Sequence, residues 1–273
     1  MPLSPIDIPT EFVELVISEL KRKYDVDFTG YNRNFLRRRI ASRMNRTGLF
    51  SGPEYNRLLM RNAREFSNLL QNLTINISEF MRDSEVYRIL ERRILPELAQ
   101  INRGKTLSLW SAGCSRGEEP YSLAIILLKL GIPQQLPTRL VATDIDGIAL
   151  DTAVRGAYEQ FSLKNISEHD RHIFFRCLKN GTCCVSDRVK ELVEFARHDI
   201  VRDPSLGSFD MIVCRNVSIY FTKAMQMRMY ERFLGDLVPG GYLVTGMTET
   251  PPTRFGNHFA EVDFHGRIYR KVD

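Results

Sequence analysis

The sequence predicts an α/β protein: an all-helical N-terminal domain followed by a parallel sheet that carries a small antiparallel β insertion. Three observations predict it. Over roughly the first hundred residues apolar side chains recur only at helical spacing. From Thr106 short apolar strands alternate with amphipathic helices, the pattern of right-handed βαβ units in a Rossmann-like sheet. Between Phe174 and Phe195 that alternation is interrupted by short β-like pieces. The expected boundaries are 1–80 for the helical domain, 81–105 for a linking helix and 106–273 for the sheet domain, with the insertion at about 174–195.

Within the helical domain, Glu11 to Lys23 sets Phe12, Val13, Val16, Ile17 and Leu20 on one face. Tyr31 to Arg46 places Leu36, Ile40 and Met44 on one stripe, with Arg38, Ser42, Asn45 and Arg46 opposite and Arg37 and Arg39 between. Tyr55 to Leu70 continues as one more helix. Thr106–Ala112 then reads as a strand, Tyr121–Leu130 as a helix closed by Gly131, and Arg139–Thr143 as a second buried strand before a helix near Ile148–Arg155. The insertion reads as hairpins, with turns at Asn180-Gly181 and near Ser186-Asp187. Phe209–Cys214 is a further buried strand. Thr222–Leu237 is a helix that Pro239-Gly240-Gly241 turns into Tyr242–Thr245, and Phe259–Val272 reads as one returning strand.

The 273 residues suffice for a medium domain and a small one. No apolar run approaches the roughly 20 residues that span a bilayer, so no membrane insertion is expected. Met1-Pro2-Leu3-Ser4-Pro5 has no basic or apolar leader character. The five cysteines are odd in number and read as reduced thiols of a cytoplasmic protein. Their spacing matches no zinc pattern, and Cys183 and Cys184 would face opposite sides of a strand, so no metal is expected. The net charge of +5 is uneven: residues 1–20 carry −4 and residues 21–100 carry +7. An acidic partner is therefore expected at the N-terminal third, although a solvated helix face accounts equally well for Arg37-Arg38-Arg39.

The candidate chemistry begins at Leu107–Pro120, an apolar strand, a turn bracketed by Gly113 and Gly117, and a helix opened by Glu118, Glu119 and Pro120. It is neither the G-x-G-x-x-G fingerprint nor a P-loop, since the Lys-Ser/Thr is missing. Two acids stand where a pyrophosphate needs bare N–H groups, so a cationic ligand with an adenosine end, S-adenosylmethionine, fits better. Asp144, ending the second strand, is placed to accept the ribose hydroxyls. Glu118 or Glu119 is placed to meet the α-ammonium, although acids at a helix start also complement its dipole. Cys214-Arg215-Asn216-Val217 follows a strand on the ligand side of the sheet and lacks the Pro-Pro-aromatic block of many nucleic-acid amino methyltransferases. No Ser-His-Asp or Cys-His set is evident.

Four blocks together carry a specific resemblance: Thr74–Arg82, Trp110–Tyr121, Ala142–Asp146 and Cys214–Phe221. In this order, over nearly the whole chain, the sequence resembles the chemotaxis receptor glutamate methyltransferases, the CheR family. The resemblance implies methyl transfer from S-adenosylmethionine to glutamates of the cytoplasmic helical domain of chemoreceptors, with S-adenosylhomocysteine as product. It implies cofactor contacts from Asn76, Ser78, Arg82, Glu118 and Asp144 and from the pairs Asp199-Ile200 and Arg215-Asn216. Arg82 and Tyr220 fall on the positions that address the substrate and the transferring methyl. Arg37, Arg38, Arg39, Arg43 and Arg46 are the candidates for receptor binding. Met81 replaces the usual aromatic residue, and Asp199 stands where Asn is common. The loop at Asn180–Val185 lacks the Gly-Pro-rich form of members that grip a receptor's C-terminal pentapeptide, so tether-independent action is expected. A monomer that binds no nucleic acid is expected. The alternative readings are an RNA methyltransferase with a basic helical accessory domain and a non-catalytic S-adenosylmethionine-binding adaptor.

Overall fold

A computed structural model describes residues 8–74, 76 and 78–272. The Met1–Pro5 stretch, and Ile75 and Ile77 of the Thr74–Arg82 block, lie outside the described residues. The chain divides into two units: residues up to Asn76 together with Tyr220–Gln226, and Ile77–Ile219 together with Met227–Asp273.

The first unit contains helices α1 (Thr10–Tyr24), α2 (Arg33–Thr47), α3 (Gly52–Arg61) and α4 (Ala63–Thr74). The apolar stripes read from the sequence are its core: Val13, Val16, Ile17 and Leu20 of α1 and Leu36, Ile40 and Met44 of α2 are buried. Asn32 starts α2 by accepting from the N–H groups of Asn34 and Phe35. The expected helix Tyr55–Leu70 is in fact two. Asn62 leaves helical dihedrals, and its side chain accepts from the N–H groups of Arg64 and Glu65, ending α3 and capping α4. Glu65 is buried inside this bundle. It takes two hydrogen bonds from Arg43 (3.1 and 2.6 Å) and one from the Tyr55 hydroxyl (2.9 Å). Tyr220–Gln226 joins this unit through backbone bonds, Asn32 N–H to the Tyr220 carbonyl and Thr222 N–H to the Gly30 carbonyl, both 2.8 Å. Tyr31 and Phe221 form a β-bridge with their rings edge to face. Gly30 has no Cβ because one would lie 2.1 Å from Met225 Sδ.

The second unit holds strands β1 (Leu107–Ala112), β2 (Thr138–Asp144), β3 (Ala157–Glu159), β4 (Phe175–Cys177), β5 (Thr182–Val185), β6 (Val193–Arg197), β7 (Phe209–Cys214), β8 (Leu237–Thr245), β9 (Phe259–Asp263) and β10 (Ile268–Lys271). Seven form one sheet in the order β6-β2-β1-β7-β8-β10-β9, parallel from β6 through β8 and antiparallel at β10 and β9. Strand order reverses at β1, so its crevice with β7 at the carboxyl ends of the strands is where a ligand binds in open α/β sheets. β7 is buried along its whole length, as expected of a central parallel strand, which explains its unbroken apolar run. The segment expected to link the domains forms a continuous helical stretch within this unit, made of α5 (Ser84–Ile89), a π-helical turn at Leu90–Ile94 and α6 (Leu95–Ile101).

Four local expectations are corrected. Val193–Phe195, expected at the end of the insertion, belongs to β6, which pairs in parallel with β2; the small sheet is instead β3-β5-β4, drawing in Ala157–Glu159. Ser186-Asp187 opens a short helix, Asp187–Lys190, rather than a hairpin turn. Pro239-Gly240-Gly241 lies inside β8, where the register with β7 shifts between Phe209 and Met211 and Gly240 takes φ +75°. The closing segment is two strands, because the Gly266 N–H bonds back to Asp263 and Arg267 sits at φ +51°. The thiol reading also changes. Cys177 and Cys183 face each other across the β4–β5 hairpin with Cα atoms 3.9 Å apart and are joined as a disulfide. Cys183 is buried and Cys184 half-exposed, the alternation expected of a strand.

Candidate cofactor and catalytic site

The site grows out of the carboxyl end of β1. The N–H groups of Gly113 and Cys114 both donate to the Thr143 carbonyl at 2.8 Å, which folds the turn back over the end of β2. Gly113 sits at φ +78°, and a Cβ there would lie 2.5 Å from Val217 Cγ2 in the loop after β7. Gly117 sits at φ +95°, and its Cβ would meet Ala153 Cβ at 2.8 Å. The two glycines thus supply both a left-handed backbone and close approach to neighbouring elements. Beyond them α7 (Glu118–Lys129) begins.

Three carboxylates converge on this turn. Asp144, half-buried at the end of β2, accepts from the N–H of Asp146 through Oδ1 (2.9 Å) and from the N–H of Ser115 through Oδ2 (2.8 Å). Burial pushes its carboxyl up to about 6, and the backbone donors offset part of that rise. Glu118 is buried, which raises its carboxyl as well; a hydrogen bond from Ser78 works against the rise. Glu118 Oε2 is buried with no hydrogen-bond partner. Glu119 is also raised by burial, with Arg215 and the Ser111 hydroxyl favouring its ionised form; that hydroxyl donates to Oε1 at 2.8 Å. The two acids at the helix start therefore differ in kind. Glu119 is tied to the end of β1, and Glu118 keeps an unused acceptor.

The loop after β7 forms the other wall. Arg215 is buried and donates to the Arg82 carbonyl (3.0 Å) and to Asp83 Oδ2 (2.5 Å), with its guanidinium 5.7 Å from the Tyr87 ring centroid. Its two terminal nitrogens are thus committed to the protein. Asn216, at φ +60°, holds Oδ1 buried without a hydrogen-bond partner. At the end of β6, Asp199 accepts from the N–H groups of Val201 and Arg202 and donates its own N–H to Asp203. This engages one oxygen of the Asp199 carboxylate in a backbone turn. Ile200 beside it is buried.

The group that such a site would take is tested by its donors and acceptors. Buried atoms without a hydrogen-bond partner here include the acceptors Glu118 Oε2 and Asn216 Oδ1 and the donor Arg215 Nε, and the Asp144 carboxylate lies nearby in the turn. The acceptors suit a ligand bearing an ammonium, N–H or hydroxyl groups and repel a polyanion. These residues fit S-adenosylmethionine.

The model for the CheR methyltransferase S-adenosylmethionine-binding domain matches residues 76–265, and that for the CheR all-alpha domain matches residues 12–74. The chain belongs to the CheR methyltransferase family. The chemotaxis protein methyltransferase of Listeria monocytogenes is 35% identical over 233 residues, covering 84% of this chain and 86% of that protein. Chemotaxis protein methyltransferase 1 of Pseudomonas aeruginosa is 32% identical, covering 88% and 91%. Among solved structures, the glycopeptide N-methyltransferase MtfA with S-adenosylmethionine matches at 14% identity, 55% and 51% coverage and a TM-score of 0.34, a likeness too small to argue from.

In this CheR-family chain the remaining sequence-derived residues are distributed as follows. Arg82 belongs to the sheet unit, close enough to Glu119 for its charge to favour the ionised acid. Asn76 and Tyr220 belong to the helical unit, where Asn76 Nδ2 donates to Thr74 Oγ1 and the Tyr220 ring packs 4.8 Å from Phe35. Of the five arginines on α2, Arg43 is engaged by Glu65, Arg37 donates to Thr10 Oγ1, and Arg39 lies over the Phe35 ring. Arg38 and Arg46 are exposed. Among the described residues no group of three His, Cys, Asp or Glu is arranged to hold a metal, and no helix is long and apolar enough to cross a membrane. Sequence reasoning missed Glu249, which is buried and accepts hydrogen bonds from the loop after β7. The only signal was an isolated acid between Thr248 and Thr250, just past a strand end.

Proposed function

We propose that this protein transfers a methyl group from S-adenosylmethionine to glutamate side-chain carboxylates of chemoreceptors, acting in the cytoplasm on their helical domain and leaving glutamate methyl esters. The observation that carries the reading is the acceptor-lined turn at β1, β2 and α7, with its unused Glu118 Oε2. Family membership and the relatives' chemotaxis methyltransferase names support the choice of substrate.

Bound S-adenosylmethionine supplies an electrophilic methyl on a sulfonium. Asp144 accepts the ribose hydroxyls and Glu118 the α-ammonium. The substrate glutamate is ionised near pH 7, with an ordinary pKa of about 4.3, so no side chain need act as a general base. Opposite charges cancel as the carboxylate attacks, so water around the site would stabilise reactants more than the transition state. The protein's contribution is alignment and exclusion of water. Arg82 orients the incoming carboxylate, and Tyr220 is the residue that the family resemblance assigns to the transferring methyl. The exposed Arg38 and Arg46 meet the acidic faces of receptor helices, with an affinity that falls as salt rises.

Incubation with radiolabelled S-adenosylmethionine, receptor-enriched membranes and, in parallel, total RNA tests the reading. The expected label is in protein and is released as methanol by mild base. Label in RNA, or base-stable label in protein, would sink it.

The raised Asp144 carboxyl gives a pH dependence of definite sign. An unfolded Asp titrates near 3.9, so between about pH 4 and pH 6 the folded, ligand-free protein keeps a proton the unfolded chain has lost. The contribution of this group to stability therefore falls as pH rises through that window. Ribose binding needs the ionised form. Affinity for S-adenosylhomocysteine should rise with pH up to about 6, by as much as about tenfold per unit, and level off above. Calorimetric titration across that range measures it, and a pH-independent affinity would remove Asp144 from the ribose contact.

A further inference from the structure

Glu249 lies just beyond the carboxyl end of β8 and is 3% exposed. Its Oε2 accepts from the N–H of Asn216 (2.5 Å) and of Gly246 (2.8 Å). Its Oε1 accepts from the N–H and the hydroxyl of Ser218, both at 2.7 Å. The Thr245 hydroxyl donates to the Glu249 carbonyl at 2.8 Å, fixing the backbone that presents the side chain. One carboxylate thus takes four hydrogen bonds, three of them from the short loop that follows β7 and one from the end of β8. Several hydrogen bonds to one carboxylate make Glu249 a specific polar restraint on that loop.

The restrained loop does two things. Arg215, immediately before Asn216, holds the Arg82 carbonyl and Asp83. That anchors a turn in which both Met81 and Asp83 carry positive φ, and hence the backbone from which Arg82 projects. Asn216 is kept at φ +60° with Oδ1 buried and unused. A left-handed asparagine costs free energy relative to extended backbone, and the N–H that Glu249 accepts is the one belonging to this strained residue. The close approach on the other side has the same origin: a Cβ on Gly246 would lie 2.4 Å from Glu249 Oε2 and 2.8 Å from Asn216 N, so only glycine lets the carboxylate reach both.

We infer that Glu249 is a positioning residue for cofactor binding, acting through Asn216 and, via Arg215, on the backbone of Arg82. The inference rests on the proposed S-adenosylmethionine site. Glu249→Gln keeps the volume but offers one acceptor oxygen, so its NH2 must face a backbone N–H of either Ser218 or the Asn216 and Gly246 pair. We expect S-adenosylhomocysteine binding to weaken by about 10- to 100-fold in calorimetry. Deuterium uptake of a ligand-free peptide covering 214–219 should be faster than in wild type. The double variant with Asn216→Ala should bind no more weakly than the worse single variant, because both act on one contact. A purely structural role would instead give losses that multiply. Binding of Glu249→Gln within about twofold of wild type, unchanged uptake at 214–219, or multiplying losses would each overturn the proposal. Should Glu249→Gln not accumulate as folded protein, Ser218→Ala, which deletes one of the four bonds, is judged by the same measurements: weakening of about threefold or more supports the proposal, and unchanged binding overturns it. Failure of the wild type to bind would overturn the cofactor reading itself, and the proposal with it.

Discussion

Replacing Asp144 with asparagine is expected to weaken S-adenosylhomocysteine binding by about 100-fold or more, with little change in the turnover that remains at saturating cofactor. Two losses combine. If Asp144 holds the ribose as proposed, the ribose hydroxyls would lose an ionised acceptor, and hydrogen bonds to charged groups contribute about 1.5–3 kcal/mol each. The turn also loses an acceptor, because Asp144 uses one oxygen for the N–H of Asp146 and the other for that of Ser115. Asparagine has one oxygen, so either orientation sets its NH2 against a backbone N–H. Ser115 sits at φ +52°, and without its acceptor the left-handed residue has less to hold it. Calorimetry measures the first loss and turnover against cofactor concentration separates it from catalysis. Affinity within threefold of wild type would mean that the ribose is held elsewhere.

Glu65→Ala is expected to destabilise the helical unit by about 3–5 kcal/mol, the cost of removing one partner of a buried ion pair. The Arg43 side chain is only 11% exposed, and its raised pKa reflects above all the Glu65 hydrogen bond that the substitution removes. The buried Tyr55 hydroxyl loses its acceptor at the same time. The Arg43→Ala, Glu65→Ala double variant should recover part of the loss, since no uncompensated charge remains. Urea denaturation followed by far-ultraviolet circular dichroism reads both. A loss below about 1 kcal/mol for Glu65→Ala would place this pair with ordinary surface ion pairs.

The same residues show what was legible in the sequence. Helical spacing revealed α1 and α2 because their buried positions are apolar and unbroken, and the parallel strands announced themselves as continuous apolar runs. What escaped depends on single polar side chains whose partners are distant in sequence. Asn62 divides a helix by capping the next, and its side chain outweighs an apolar periodicity that runs straight through it. Val193–Arg197 resembles the hairpin pieces before it, and only pairing with β2 makes it a sheet strand. The turn bracketed by Gly113 and Gly117 was legible because its glycines and acids are contiguous. Glu249 was not, because its meaning lies in hydrogen-bond partners more than thirty residues earlier. Arg43 looked like one of five equivalent surface cations, and Glu65, two helices away, makes it a core residue.

The segment Tyr220–Gln226 gives the helical unit an unusual genetic definition. Because its backbone bonds, its bridge at Phe221 and the Met225 contact at Gly30 complete that unit from far downstream, no single stretch of gene encodes it. A hybrid that borrows only the leading helices from a relative would pair foreign positions 30 to 32 with a native 220–222. Transplanting this unit whole between family members by cutting and joining therefore calls for two pieces, one of them seven residues long.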